Sequence, residues 1–309
     1  MFAGSTLAAS AAPLSTTIST PAIALAPAQR LRLGVGGCAM FPADNAWNTP
    51  IDNAPIRAGS AATIAEIQAT GGDFLHADFG ENPTYGIPFV VVPATQPLVP
   101  IVYNGAADES DPGPFPIPLD APIESGSDRH VLVVQQGTCR LYELYAAARF
   151  GQGFAAYSGA MFDLNSNALR TLGFTSADAA GLPILPGLVR YDEVANGTIN
   201  HAIRVTFATT QRGYILPATH FASSNTNASA PPMGLRLRLK ANFDLNSLSG
   251  QARVIAAAFQ KYGLIVADNG SNWFFQGAPD PGWNDVDLNQ LKAIPGTDFE
   301  VVDTGPTLH

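Results

Sequence analysis

Gly, Pro, Asn and Asp punctuate the chain roughly every ten residues from Arg30 onward, and the runs between them are short, β-branched and aromatic. Segments that short bury a core by pairing edge to edge, so the spacing predicts strands rather than long helices. The stretches expected as strands are 87–92, 99–103, 130–135, 139–145, 199–207, 213–218, 235–241 and 264–267. In the clearest of them Leu235, Leu237 and Leu239 alternate with Arg236, Arg238 and Lys240, which predicts one buried face and one basic, solvated face. Helices are few. Residues 251–262 place Ile255, Ala258, Phe259 and Tyr262 on one side, with Ser249 as N-cap and Gly263 as the residue that stops the helix. A second helix is expected over 61–69. The fold class expected is mainly β, an antiparallel β-sandwich or jelly roll with a few short accessory helices.

Composition narrows the function. Charged residues are 13% of 309, and 16 Lys+Arg against 25 Asp+Glu give a net charge of −9. That balance lacks the basic surface a nucleic-acid partner requires. No apolar run approaches the roughly 20 residues of a membrane-spanning helix. Residues 1–29 are rich in Ala, Ser, Thr and Pro, without a basic start or a continuous apolar run, and read as a flexible leader rather than a signal peptide. Residues 30–309 contain no second linker, charge block or repeat and read as a single β-rich domain. Scarce charge and abundant small polar residues suit a secreted, extracytoplasmic protein. There the two cysteines, Cys38 and Cys139, would pair; the alternative is two buried free thiols.

Several stretches carry a resemblance: FPADNAWNTPI (41–51), YGIPFVVVP (85–93), ADESDPGPFPIP (107–118), DRHVLVV (128–134), FDLNSNALR (162–170), GLPILPGLVRYDEV (181–194), INHAIRVTF (199–207), PPMGLRLRLKANFD (231–244) and KYGLIVADNGSNWF (261–274). Together they resemble a family of secreted, chiefly bacterial proteins to which no reaction is attached. The resemblance covers nearly everything after residue 38 and implies one domain. Function has to come from the residues.

Three kinds of residue stand out. His201 and His220 bracket HAIRVTFATTQRGYILPATH, and a hairpin turning at 209–212 would oppose them directly. With His130 they form a candidate metal set for a single divalent ion such as zinc. Carboxylates cluster at Asp108, Glu109 and Asp111, a loop that calcium would also suit, and recur at Asp163 and at Asp192-Glu193. Asp163-Leu164-Asn165-Ser166-Asn167 opens like an EF-hand loop, but Ala168 and Phe174 replace its Gly and its bidentate Glu. Asp163, Asn165 and Asn167 remain candidates to bind a sugar. Trp273, Phe274, Phe275 and Trp283 lie in a loop-rich stretch with Asp268 and Asp280, the chemistry of a glycan groove.

The function expected is a secreted glycoside hydrolase acting on a polysaccharide or oligosaccharide without a cofactor. Its carboxylate pair would be drawn from Asp108, Glu109, Asp111, Asp163 and Glu193. One alternative is a uronate lyase with His201 or His220 as base, Tyr214 as acid and Arg204 or Arg129 neutralising the substrate carboxylate. Another is a metal-dependent enzyme centred on His130, His201 and His220. A third is a glycan-binding or surface-structural protein without catalysis.

Overall fold

The computed structural model describes residues 1–2 and 34–309; the expected leader at 1–29 lies, beyond Phe2, outside the described residues. Among the described residues thirteen strands and four α-helices follow one another. The strands are β1 (His76–Ala77), β2 (Phe89–Val92), β3 (Ile101–Tyr103), β4 (Val131–Gln135), β5 (Arg140–Tyr145), β6 (Ala148–Phe150) and β7 (Gly153–Ala156). They continue with β8 (Ser158–Asp163), β9 (Ile203–Phe207), β10 (Arg236–Leu239), β11 (Leu264–Asn269), β12 (Phe274–Phe275) and β13 (Phe299–Val302). The helices are α1 (Ser60–Ala69), α2 (Tyr191–Ala195), α3 (Gly250–Lys261) and α4 (Asp285–Asn289). The protein is mainly β with short helices, as its run-and-turn pattern predicts.

The strands form a six-stranded sheet in the order β1-β12-β9-β11-β10-β13, a four-stranded sheet β2-β4-β5-β8 and a three-stranded sheet β3-β7-β6. Pairing is mixed. β9 and β11 run parallel, as do β2 and β4, β3 and β7, and β1 and β12, while the other pairs are antiparallel. The four-stranded sheet is buried on both sides, which explains the unbroken apolar run of β4. Val131 and Val133 pack with Phe154 and Ala156 of the three-stranded sheet, whereas Leu132 and Val134 join the main core. That main core includes Ile203, Val205 and Phe207 of β9 together with Ile255 and Phe259 of α3.

α3 ends as expected. Gly263 takes φ +70°, and its amide and that of Tyr262 both reach the Ala258 carbonyl. Its start is different: the Ser249 side chain makes no cap bond, and the Asp287 carboxylate accepts the Gln251 amide at 2.9 Å instead.

Two expectations fail here. The 213–218 run is no strand, because only Tyr214 bridges, to Met233 and to Leu308, before Pro217 removes a donor. The solvated basic face of β10 is also absent. Arg236 is buried and donates to the carbonyls of Ala46, Thr49 and Tyr262. Arg238 pairs with Glu300 at 2.8 Å and donates to Ile51, Asp52 and Ala54. Both guanidiniums clamp segment 46–54 across the sheet, and their planar forks suit that work better than Lys.

The described residues 34–309 form one compact unit. Cys38 and Cys139 are bonded to each other, which ties segment 34–38 to the β4–β5 hairpin and is compatible with an extracellular protein. Among the described residues no helix is long and apolar enough to cross a membrane.

Candidate functional site

A pocket of about 500 Å3 opens where the C-terminal end of β11, the 175–179 loop and the β7–β8 corner meet. Its volume lies in the range of small-molecule sites. Glu109, Asp128, Asp178 and Asp268 line it with Tyr145, Tyr157 and His220.

Asp268 reaches the pocket because β11 carries one extra residue. Val266 pairs with Val205, but Asp268 pairs with Thr206, so the ladder skips Ala267. In a parallel ladder paired residues share a face, and the skip puts Asp268 on the side of Arg204 and Thr206 instead of the apolar side of Phe207. The Ala267 carbonyl, freed at the bulge, accepts the Ala180 amide at 3.0 Å and fastens the loop that carries Asp178.

Arg204 lies between the two acids. Its Nε and Nη2 donate to Asp178 Oδ2 at 3.3 and 3.0 Å, Nη2 lies 3.9 Å from Asp268 Oδ2, and Nη1 bonds Gln276. The two carboxylate oxygens are therefore no more than about 7 Å apart, close enough for each to raise the other's proton affinity. Arg204 and Asp178 are sealed, at 1% and 0% side-chain exposure, while Asp268 keeps 24% and faces the pocket. Burial, reinforced by the neighbouring Asp178 charge, pushes the Asp268 carboxyl up to about 7 against the pull of Arg204. Burial raises Asp178 as well, with Arg204 opposing.

Beneath the floor, His130 is buried with Nδ1 at 2.6 Å from Glu124 Oε2 and Nε2 at 3.1 Å from the Ala177 carbonyl. A carbonyl only accepts, so Nε2 carries a proton. Burial works against charge on this ring, but Glu124 outweighs it and raises His130; the same pair lowers Glu124 against its own burial. The pair fixes Ala177, next to Asp178.

Glu143 of β5 is fully buried, and its oxygens accept the Ile184 and Leu185 amides at 2.9 and 3.0 Å. Burial pushes its carboxyl from 4.5 to about 7 despite those bonds. The folded state then holds a proton that the unfolded chain releases, so Glu143's contribution is complete below pH 4.5 and is lost as pH rises to about 7. Denaturant unfolding at about pH 5 and about pH 8 is expected to show the protein more stable on the acid side. Glu143→Gln should shrink that difference by about 2 kcal/mol. An unchanged difference in the variant would show that other groups set it.

Of the residues singled out in the sequence, the pocket gathers three, Glu109, His220 and Asp268. Arg170 pins the Glu109 loop, bonding Asp111, the Glu109 carbonyl and the Thr175 carbonyl, and Glu109 accepts the Thr175 amide at 2.9 Å. His220 donates from Nδ1 to the Ala179 carbonyl, which leaves Nε2 turned toward Glu109 at 4.0 Å. Asp111 is taken up by Arg170 and the Met161 amide, and Asp108 is exposed outside the pocket. Asp163 turns back on the amide of Asn165, and Asn167 bonds Asn45 and Asp44; neither amide reaches the pocket.

The histidine hairpin does not form. β9 starts after His201 and pairs with β11 and β12, so His201 and His220 never oppose one another. His201 bonds Glu193 of α2 at 3.0 Å and the Ala202 carbonyl, and Glu193 also holds Arg190. His201 and Arg190 hold Glu193 below the usual carboxylate range although burial opposes them. His130, His201 and His220 thus sit on separate partners. Among the described residues no group of three His, Cys, Asp or Glu is placed to hold a metal ion.

The aromatic groove is also replaced. Trp273 is fully buried against Phe207 and Phe299, Trp283 packs on Phe79 and Tyr191, and Tyr214 is buried. Trp273 lies so close to Gly296 that a Cβ there would come within 2.2 Å of its ring, so only glycine fits. The pocket's aromatics are Tyr145 and Tyr157. Arg204, expected to meet substrate, is spent on Asp178.

Asp178, Glu124 and Glu143 were not among the candidates, and Asp268 was singled out only as a sugar-binding partner of the aromatic stretch. A lone acid inside an apolar strand, as in Leu141-Tyr142-Glu143-Leu144-Tyr145, is the signal that could have marked a buried carboxylate. No family model, curated protein or solved structure matches this chain.

Proposed function

We propose that this protein is a secreted enzyme that hydrolyses a glycosidic bond of a polysaccharide or oligosaccharide in the 500 Å3 pocket, with Asp268 as general acid. One observation carries the reading: a carboxyl held near pH 7 faces the pocket beside a second acid that stays paired with Arg204. A proton-donating acid at neutral pH is what cleavage of a glycosidic oxygen requires. Glu109 lines the same pocket and is the second carboxylate, activating water or attacking the anomeric carbon. The disulfide supports secretion. The acid-rich lining and the engagement of Arg204 weigh against a uronate lyase, whose anionic substrate would meet no unpaired cation.

The test is release of reducing ends from a polysaccharide panel. Asp268→Asn and Glu109→Gln are each expected to lose at least a hundredfold in turnover with unchanged thermal midpoints. Asp108→Asn and Asp163→Asn should stay at the wild-type rate. Full activity in Asp268→Asn would remove the assignment. Glycan retention without any product would favour the binding protein.

A further inference from the structure

The pocket wall beside Asp268 has an organisation that bond cleavage alone does not call for. Tyr145 and Tyr157 stand edge to face, with ring centroids 5.8 Å apart and planes at 77°. Asp128 is joined to them through the main chain: its carbonyl accepts the Ala146 amide at 2.8 Å, and the Tyr145 carbonyl accepts the Tyr157 amide at 2.8 Å. Arg129 and Ala146, facing one another across this junction, both take left-handed φ, 51° and 50°. Neither is glycine, and such conformations persist where the surrounding structure imposes them. The Arg129 side chain is bound to the Ala147 carbonyl, so it does not pair with Asp128.

The charge of this wall is unbalanced. Among the described residues Asp128 is exposed and makes no ion pair; its Oδ1 accepts only the Ser127 hydroxyl at 3.2 Å. No Lys or Arg lines the pocket, and Arg204 behind it is committed to Asp178 and Gln276. Two crossed tyrosine rings with a free carboxylate beside them form a receptor for a cation, which gains from the ring faces and from the carboxylate together. A net charge of −9 draws a polycation to the same surface.

We infer that the pocket recognises a protonated amine through Asp128, Tyr145 and Tyr157, so that its substrate is a glycan of free amino sugars. The inference rests on the glycan reading of the pocket but not on cleavage.

Calorimetric binding of a glucosamine tetramer and of its fully N-acetylated counterpart, at about pH 5.5, tests it. The two ligands differ only in the acetyl groups and the charge. The free amine is expected to bind at least about tenfold more tightly, the scale of a hydrogen bond to a charged group. That preference should fall as NaCl is raised and should vanish in Asp128→Asn. Tyr157→Ala should weaken it; this ring is 48% exposed, so its loss spares the core. Equal affinities, or a preference that survives in both variants, would overturn the inference. Amine-selective binding without bond cleavage would sustain it while removing the hydrolase reading. Cleavage of neutral glucans with no amine preference would overturn it and leave the hydrolase intact.

Discussion

Removing the Cys38–Cys139 bond, by reduction or by the double substitution Cys38→Ala/Cys139→Ala, is expected to lower the unfolding free energy by about 4–5 kcal/mol. The bond joins residues 101 positions apart, a loop long enough for cross-linking to restrict the unfolded chain heavily. Cys38 is buried, and Cys139 packs against the main core, so the substitution also leaves a small void. Equilibrium unfolding in guanidinium, with the midpoint and slope both fitted, gives the loss directly. Most of the effect acts through the unfolded state. Ligand binding by the fraction that remains folded should therefore match the wild type. A loss under about 1 kcal/mol would mean that the unfolded chain already holds these segments together.

The second large effect belongs to Arg204. Arg204→Met is expected to destabilise the protein by about 3–5 kcal/mol, because Asp178 is left charged, buried and unpaired beside Asp268. Adding Asp178→Asn should recover most of that loss, since the residual cost comes from the orphaned charge rather than from the missing contact. A double variant as unstable as the single one would show that Arg204 matters through packing, beneath Trp47 and Gly187. There a Cβ on Gly187 would lie 2.6 Å from the Trp47 ring and 3.0 Å from the Arg204 Cβ. The single variant carries a second signature. Without the guanidinium, Asp268 keeps its proton to higher pH, so the alkaline limb of any activity profile should move upward.

The strands and helices were legible because their signals are local. Alternation along 235–239, the turn residues between runs and Gly263 after α3 each act within a few residues of where they are read. Strand partners are not local, and that is where reading failed. The stretch around Thr209–Arg212 looks like a hairpin turn, yet β9 finds its neighbours about 60 to 70 residues further on, in β11 and β12. The candidate site was legible only in part for the same reason. Glu109 and His220 stand in sequences that advertise themselves, an acid-rich proline loop and a paired-histidine stretch. Asp178 sits in Ser176-Ala177-Asp178-Ala179-Ala180, where nothing distinguishes it, and its meaning comes entirely from Arg204, 26 positions away. The tryptophans misled because a large ring in a loop-rich stretch can face either way, and here the space between β9 and β13 takes Trp273.

The skipped residue in β11 has a consequence for how this chain is compared with any relative. Upstream of Ala267 the two central strands keep step, and counting residues locates a side chain in space; past it, odd and even positions exchange sides. A related chain of equal length whose strand ran without the bulge could carry an aspartate in the same alignment column and still present it to the hydrocarbon interior beside the equivalent of Phe207. Identity at column 268 would then say nothing about shared chemistry, and a gap of one at column 267 would say a great deal.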